Sequence, residues 1–95
     1  IATYTGDGTS GSTFGHGLGV VPELIIVKRR NGTSYWNTYT SVTGATKYLE
    51  LVTTATAVTA TNRWNNTAPT SSVVTLGNTS NVNGSGSTYV AYHRV

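Results

Sequence analysis

Sulfur-containing side chains are missing from this sequence of 95 residues, which has neither cysteine nor methionine. Without cysteine there is no disulfide framework, no thiolate metal ligand and no cysteine nucleophile. No apolar stretch approaches the ~20 residues of a membrane span, and the polar start of the chain is unlike a signal peptide. We therefore expect no insertion into a membrane.

Acidic residues are almost as scarce, since Asp7, Glu23 and Glu50 are the only ones. A glycosidase needs two carboxyl groups about 5 to 10 Å apart, and a hard cation needs several oxygen ligands. His16 stands between glycines, and the sequence supplies it with no orienting partner and no nucleophile. The sequence therefore predicts a protein that is not an enzyme and that holds no metal and no cofactor.

The net charge of +3 follows from this scarcity of acids. Proteins that bind nucleic acid usually gather many cations on one face, whereas this chain has six lysines and arginines in total. We expect no nucleic-acid partner.

The residues that are present favour a single all-β domain over positions 1–95. Hydrophobic residues make up 37% of the chain and charged residues 9%, with serine, threonine, asparagine and glycine filling much of the rest. That balance is typical of a β-sandwich with uncharged polar outer faces. The start at Ile1 instead of methionine suggests a piece of a longer protein with several modules.

The strongest local pattern is the apolar, β-branched run from Leu24, which leads to the dipeptide Asn31-Gly32. Asparagine-glycine readily takes positive φ at both centres of a type I′ turn, so we predict a hairpin between Leu24–Arg30 and Tyr35–Thr40. An opening hairpin is predicted between Ala2–Thr5 and Ser12–Phe14.

A further strand is predicted over Lys47–Val52, with Leu49 and Leu51 facing the core. The tract Thr53–Thr61 can be a loop or an edge strand. Three more short strands are predicted, at Asn62–Asn66, Ser72–Leu76 and Thr88–Val95, with a loop over Asn78–Ser87 between the last two. Seven or eight short strands indicate an antiparallel two-sheet β-sandwich of jelly-roll type, with a small β-barrel as the alternative.

Six different short motifs are distributed over nearly the whole chain. They are Tyr4-Thr5-Gly6-Asp7-Gly8, His16-Gly17-Leu18-Gly19, Pro22-Glu23-Leu24-Ile25-Ile26-Val27-Lys28, Trp64-Asn65-Asn66-Thr67, Pro69-Thr70-Ser71 and Tyr89-Val90-Ala91-Tyr92. In combination they resemble a jelly-roll, lectin-like module of bacteriophage tail fibres and other virion-surface proteins, from marine phages especially. The resemblance implies a place on the virion surface and a role in virion structure or in attachment to the host. It supplies no catalytic residues.

Aromatic residues carry the binding hypothesis. Sugar rings stack on tryptophan and tyrosine, and amide side chains bond their hydroxyl groups. The candidate carbohydrate contacts are Tyr35, Trp36, Asn37, Trp64 and Asn65. Trp64 can equally be a core residue, whereas Tyr35 and Trp36 must face opposite ways on one strand.

Lys28, Arg29 and Arg30 are candidates for contact with an anionic ligand, or alternatively charges that protect a strand end from edge-to-edge pairing.

The sequence leaves two functions open for the whole module. One is a module that binds bacterial surface polysaccharide, and the other is a structural spacer or oligomerisation module that packs against neighbouring fibre modules or identical subunits.

Overall fold

The computed structural model describes residues 1–33, 36–50 and 57–95. Eight strands and a single helical turn follow one another along these residues. They are β1 (Ala2–Thr5), β2 (Thr13–Gly15), β3 (Leu24–Arg29), β4 (Asn37–Thr40), β5 (Lys47–Glu50), β6 (Val58–Thr59), β7 (Val73–Thr75), α1 (Ser80–Asn83) and β8 (Thr88–Arg94). The predicted all-β class is confirmed, and α1 interrupts the stretch predicted as the loop Asn78–Ser87.

The strands form two antiparallel sheets. One sheet has six strands in the order β1-β8-β3-β4-β5-β6, and the other pairs β2 with β7. This is the two-sheet arrangement that the sequence predicts. The first strand pairs with the last and the second with the penultimate, as in a jelly roll, while β4, β5 and β6 continue the larger sheet as a meander.

The core lies between the two sheets, and strands β3 and β8 form its centre. Ile25 and Val27 of β3 are fully buried, and so are Tyr89 and Ala91 of β8. These positions alternate with more exposed ones, because successive side chains of a strand point to opposite faces. We call the buried side of the six-stranded sheet its inner face and the opposite side its outer face.

A stack of three aromatic rings joins the sheets. The ring of Tyr4 in β1 lies 4.4 Å from that of Phe14 in β2 and 5.1 Å from that of Tyr89 in β8, measured between centroids. The predicted opening hairpin is wrong, because β1 pairs with β8 and β2 pairs with β7. Ring stacking between sheets, instead of backbone pairing, brings Tyr4 and Phe14 together.

The predicted pairing of the strands on either side of Asn31-Gly32 is confirmed, since β3 and β4 are antiparallel neighbours, but the type I′ turn predicted at this dipeptide is wrong. Neither residue has positive φ, and the pairing of β3 with β4 ends at Val27 opposite Asn37. The chain instead stays attached to β8, since the Arg30 amide donates to the Thr88 carbonyl (2.7 Å) and the Thr88 amide donates to Asn31 Oδ1 (3.2 Å). Long-range pairing therefore overrides the local turn preference.

A type I′ turn occurs elsewhere, at Asn65 and Asn66. Their φ angles are 54° and 49°, and the Thr67 amide donates to the Trp64 carbonyl across them at 3.1 Å. Two consecutive positive φ values define this turn type, and asparagine tolerates them better than most residues. The strand predicted over Asn62–Asn66 is therefore a turn.

The orientation predicted for β5 is reversed. Tyr48 is buried, whereas Leu49 pairs with Thr38 on the outer face and is half-buried. Tyr48 lies inside because the guanidinium carbon of Arg63 sits over its ring, 3.9 Å from the centroid. Leu51 and residues 53–56 of the ambiguous tract lie outside the described residues, and Val58–Thr59 of that tract form β6, at the edge of the sheet.

Candidate functional site

The outer face of the six-stranded sheet carries a row of four side chains across neighbouring strands. Tyr92 of β8 pairs with Ile26 of β3, Ile26 with Thr38 of β4, and Thr38 with Leu49 of β5. Ile26 and Leu49 are half-buried, and Tyr92 is 40% exposed. Three apolar side chains therefore lie partly open to solvent on a face that no described strand covers.

Trp36 adds a second aromatic ring beside this row. It directly precedes β4 and has the same parity as Thr38, which places it on the outer face. Its ring centroid lies 6.5 Å from that of Tyr92, and the two ring planes are inclined by 34°. Trp36 is half-buried. We call Trp36 and Tyr92 the aromatic pair.

Threonine side chains share the outer face with the aromatic pair. Thr38, which is buried, donates from Oγ1 to the Trp36 carbonyl at 3.3 Å and so helps to hold the backbone that positions the indole. Further along β4, the hydroxyls of Thr40 and Thr43 lie 3.0 Å apart. Thr3 and Thr5 of β1 are exposed, and register places Thr3 beside Val90 on the outer face.

Two of the predicted sugar contacts lie in the interior. Asn37 is completely buried, and its Oδ1 accepts a hydrogen bond from Nε of Arg63 at 3.2 Å. Trp64 is 1% exposed and meets the Tyr39 ring edge to face, with the centroids 6.1 Å apart. Neither side chain can stack on or bond a ligand from solvent in this arrangement. Trp64 is therefore a core residue, which is the alternative that the sequence left open for it.

The other three residues predicted to contact a sugar are Asn65, Tyr35 and Trp36, and they differ in position. Asn65 is half-buried at the type I′ turn, where its φ is 54°, and Tyr35 lies outside the described residues. Of the five residues predicted from sequence, the structure places Trp36 in the aromatic pair. Tyr92 was missed because strand alternation shows that Tyr89 and Tyr92 face opposite ways but leaves open which of them is outside.

The three consecutive cations of β3 are also split between faces. Lys28 pairs with Val90 on the outer face, and Arg30 follows with the same parity, its amide bonded to the Thr88 carbonyl. Arg29 pairs with the buried Tyr89, and its Nε donates to Asn31 Oδ1 at 3.2 Å. Only Lys28 and Arg30 therefore share a face with the aromatic pair.

Two histidines form a second polar cluster, at the Gly15–Gly19 connection. Nε2 of His16 donates to the Thr70 carbonyl (2.8 Å) and Nδ1 accepts from the Leu18 amide (3.1 Å), which fixes the neutral tautomer with the proton on Nε2. Nε2 of His93 donates to the His16 carbonyl at 2.7 Å, and burial lowers the pKa of His93. The hydrogen bonds tie three segments together, which is a structural role.

The described residues can also be compared with the requirements of a metal site and of a membrane-spanning helix. No cluster of three or more histidine, aspartate or glutamate side chains there is arranged to hold a metal ion. Within the same residues, no helix has the length and apolar character needed to cross a membrane.

Comparisons with known proteins give one match. A family model described as a domain of unknown function, DUF7483, matches residues 1–94. No curated protein matches the chain, and no solved structure does. Because the family model covers all but the last residue, the chain belongs to the DUF7483 family.

Proposed function

We propose that this domain is a non-enzymatic module of a virion surface, such as a phage tail fibre, and that its outer face binds carbohydrate on the host bacterium. The aromatic pair of Trp36 and Tyr92 carries this proposal. The assignment to a virion rests on the sequence resemblance alone, whereas the binding role rests on the chemistry of the outer face.

The arrangement of the aromatic pair suits a sugar chain. Aromatic faces stack on the C–H faces of sugar rings, and neighbouring hydroxyls bond the sugar hydroxyls. Two rings 6.5 Å apart on a shallow sheet present a platform that an extended chain can cross without entering a closed pocket. Such contacts are weak singly, and many copies on one particle can add ~10²- to 10⁴-fold in avidity.

The alternative is a structural module whose outer face packs against a neighbouring subunit. The half-buried side chains of Ile26 and Leu49 favour it, because partly open apolar surface on a sheet is also typical of interfaces between subunits. The two functions differ in oligomeric state, since a packing module associates with itself and covers Trp36.

Intrinsic tryptophan fluorescence tests the proposal, because the two indoles differ in exposure. In the Trp64→Phe variant Trp36 is the only tryptophan, and we expect a saturable spectral shift on titration with purified bacterial surface polysaccharides, together with quenching by acrylamide in their absence. Trp36→Ala and Tyr92→Ala should abolish binding measured by calorimetry while leaving the circular dichroism spectrum unchanged.

Val42→Ala is the matched control, because Val42 is 94% exposed in the segment after β4 and away from the aromatic pair. It should bind as the unmodified protein does. No binding to any member of the polysaccharide panel, combined with a stable oligomer in which acrylamide does not reach Trp36, would favour the structural module and overturn the binding function.

A further inference from the structure

We infer that the ligand of the outer face is an acidic polysaccharide, with carboxylate or phosphate groups spaced along its chain. This inference rests on the proposed carbohydrate function and names the class of sugar. Its basis is the distribution of charge over the two faces of the six-stranded sheet.

Four of the six cationic residues have the parity of the outer face. Lys28 and Arg30 belong to β3 and its extension, Arg94 pairs with Leu24 at the other end of β3, and Lys47 stands two residues before Leu49 on β5. Arg30, Lys47 and Arg94 are exposed. The outer face thus holds most of the positive charge of the molecule.

Acidic side chains are fewer, and Asp7 is held in a loop. Asp7 belongs to the loop after β1, where its carboxylate accepts hydrogen bonds from Ser12 Oγ (2.6 Å) and the Thr9 amide (2.9 Å). Glu23 precedes β3, is exposed, and donates from its amide to the Arg94 carbonyl at 2.9 Å. The four cations therefore outnumber the acidic side chains described near the outer face, where Glu23 lies at the end occupied by Arg94.

The positions of the cations match a ligand that crosses the aromatic pair. Arg94 lies two residues beyond Tyr92 on β8, about 7 Å along the strand, and Lys28 lies two residues beyond Ile26 on β3 in the opposite sense. The two cations are therefore about 13 Å apart along the strands, on either side of the row through Tyr92. A sugar chain stacked on the aromatic pair can reach both.

The spacing fits an acidic sugar better than a nucleic acid. Duplex DNA carries a phosphate every ~3.4 Å along each strand, so a 13 Å interval between cations would leave several phosphates without a partner. Even a polysaccharide with a carboxylate on every sugar, such as alginate, has a lower charge density than duplex DNA, and its neutral hydroxyls match the threonines of the outer face.

A matched pair of ligands tests the charge requirement. We expect alginate to bind, and its propylene glycol ester, in which the carboxylates are masked on the same backbone, to bind at least tenfold more weakly at 20 mM NaCl. Raising NaCl to 500 mM should weaken alginate binding by about tenfold, because salt of that strength screens charges beyond about 4 Å.

Single substitutions of cationic residues test whether the charge requirement for alginate binding arises on the outer face. Lys28→Gln and Arg94→Gln should each weaken alginate binding by about three- to tenfold, with unchanged thermal unfolding. Arg29→Gln removes the same charge from the next residue but on the opposite face, and it should leave binding unchanged.

The outcomes separate this inference from the proposed function. Equal binding of alginate and its ester, lost in Trp36→Ala, would overturn the acidic ligand and leave a carbohydrate-binding module. Binding confined to neutral members of the bacterial polysaccharide panel would do the same. Tighter binding of single-stranded DNA than of alginate at equal ionic strength would overturn the inference in favour of nucleic acid. Failure of every polysaccharide to bind would remove the proposed function itself.

Discussion

Asn83 shows how much one buried amide can hold together. Its Nδ2 lies within hydrogen-bond distance of the carbonyls of Gly77 (2.9 Å) and Thr9 (3.0 Å) and of Asp7 Oδ1 (3.3 Å), while its Oδ1 accepts from the Asp7 amide (2.9 Å). The residue is 1% exposed. It thereby fixes the loop after β1 to the end of α1, and this contact takes the place of the opening hairpin that the sequence predicts.

Replacing Asn83 by alanine should lower the free energy of unfolding by about 2 to 4 kcal/mol, because the buried Gly77 carbonyl and the partly buried Asp7 amide and Thr9 carbonyl would lose their partner. Urea denaturation followed by circular dichroism measures the change. Asn78→Ala is the control, since Asn78 is exposed, and it should stay within about 0.5 kcal/mol of the unmodified protein. Equal stability of the two variants would show that the amide is not the link described.

At the scale of elements, turn preferences are strong but yield to strand pairing. Asn31-Gly32 has the better local sequence for a type I′ turn, yet Asn31 Oδ1 accepts hydrogen bonds from Arg29 Nε and the Thr88 amide, and its φ stays negative. Asn65-Asn66 takes the type I′ turn instead. The sequence thus contains the right turn chemistry in two places, and only long-range contacts select one of them.

Replacing Asn66 and Asn31 by glycine should therefore change the free energy of unfolding in opposite directions. Asn66→Gly relieves a side chain held at φ 49° and should stabilise the fold by about 0.5 kcal/mol, whereas Asn66→Ala should cost about 1 kcal/mol. Asn31→Gly removes an acceptor from Arg29 and Thr88 and should destabilise the fold by about 0.5 to 1 kcal/mol. Thermal unfolding of the three variants measures these effects. Stabilisation by Asn31→Gly would contradict the role of the Asn31 side chain as an acceptor for Arg29 and Thr88.

The strand predictions show which information is local. β1, β3 and β8 lie where alternation and β-branched runs place them, because these patterns depend on neighbouring residues only. The inner face of β5 was assigned wrongly, since leucine is the more apolar residue but tyrosine finds Arg63 above its ring. Of the candidate site, Trp36 was predictable, and its partner Tyr92 required knowing that β8 pairs with β3.

For the whole molecule, four groups make stability depend on pH, and they are His93, Asp7, Tyr4 and Tyr39. Burial lowers the pKa of His93 below its usual 6.5, while hydrogen bonds from Ser12 and Thr9 lower the pKa of Asp7 below 3.8. Between the folded and unfolded pKa values, the unfolded chain binds more protons, so stability falls as the pH drops below about 6.5 and again below about 4. Burial, with a smaller contribution from Tyr89, raises the pKa of Tyr4 above 10.0, and burial also raises the pKa of Tyr39, so stability falls as the pH rises beyond 10.

We therefore expect the urea midpoint to be highest between about pH 7 and 10 and to decline on both sides. His93→Gln should flatten the decline between pH 7 and 5 and leave the alkaline side unchanged. Tyr4→Phe should reduce the decline on the alkaline side and leave the part due to Tyr39, although it also removes a hydrogen bond to the Val82 carbonyl and so lowers the midpoint at every pH. A midpoint that stays constant from pH 7 to 5 would rule out His93 as the titrating group.

The all-β class and the positions of most strands can be predicted from the amino-acid sequence, because period-two alternation and β-branched runs act over a few residues. Strand pairing, the choice of the inner face of each strand and the set of residues that meet on the outer face become known only with the folded structure. These choices depend on burial and hydrogen bonding summed over the whole chain. The aromatic pair and the cations around it belong to separate strands, so no local pattern could bring them together.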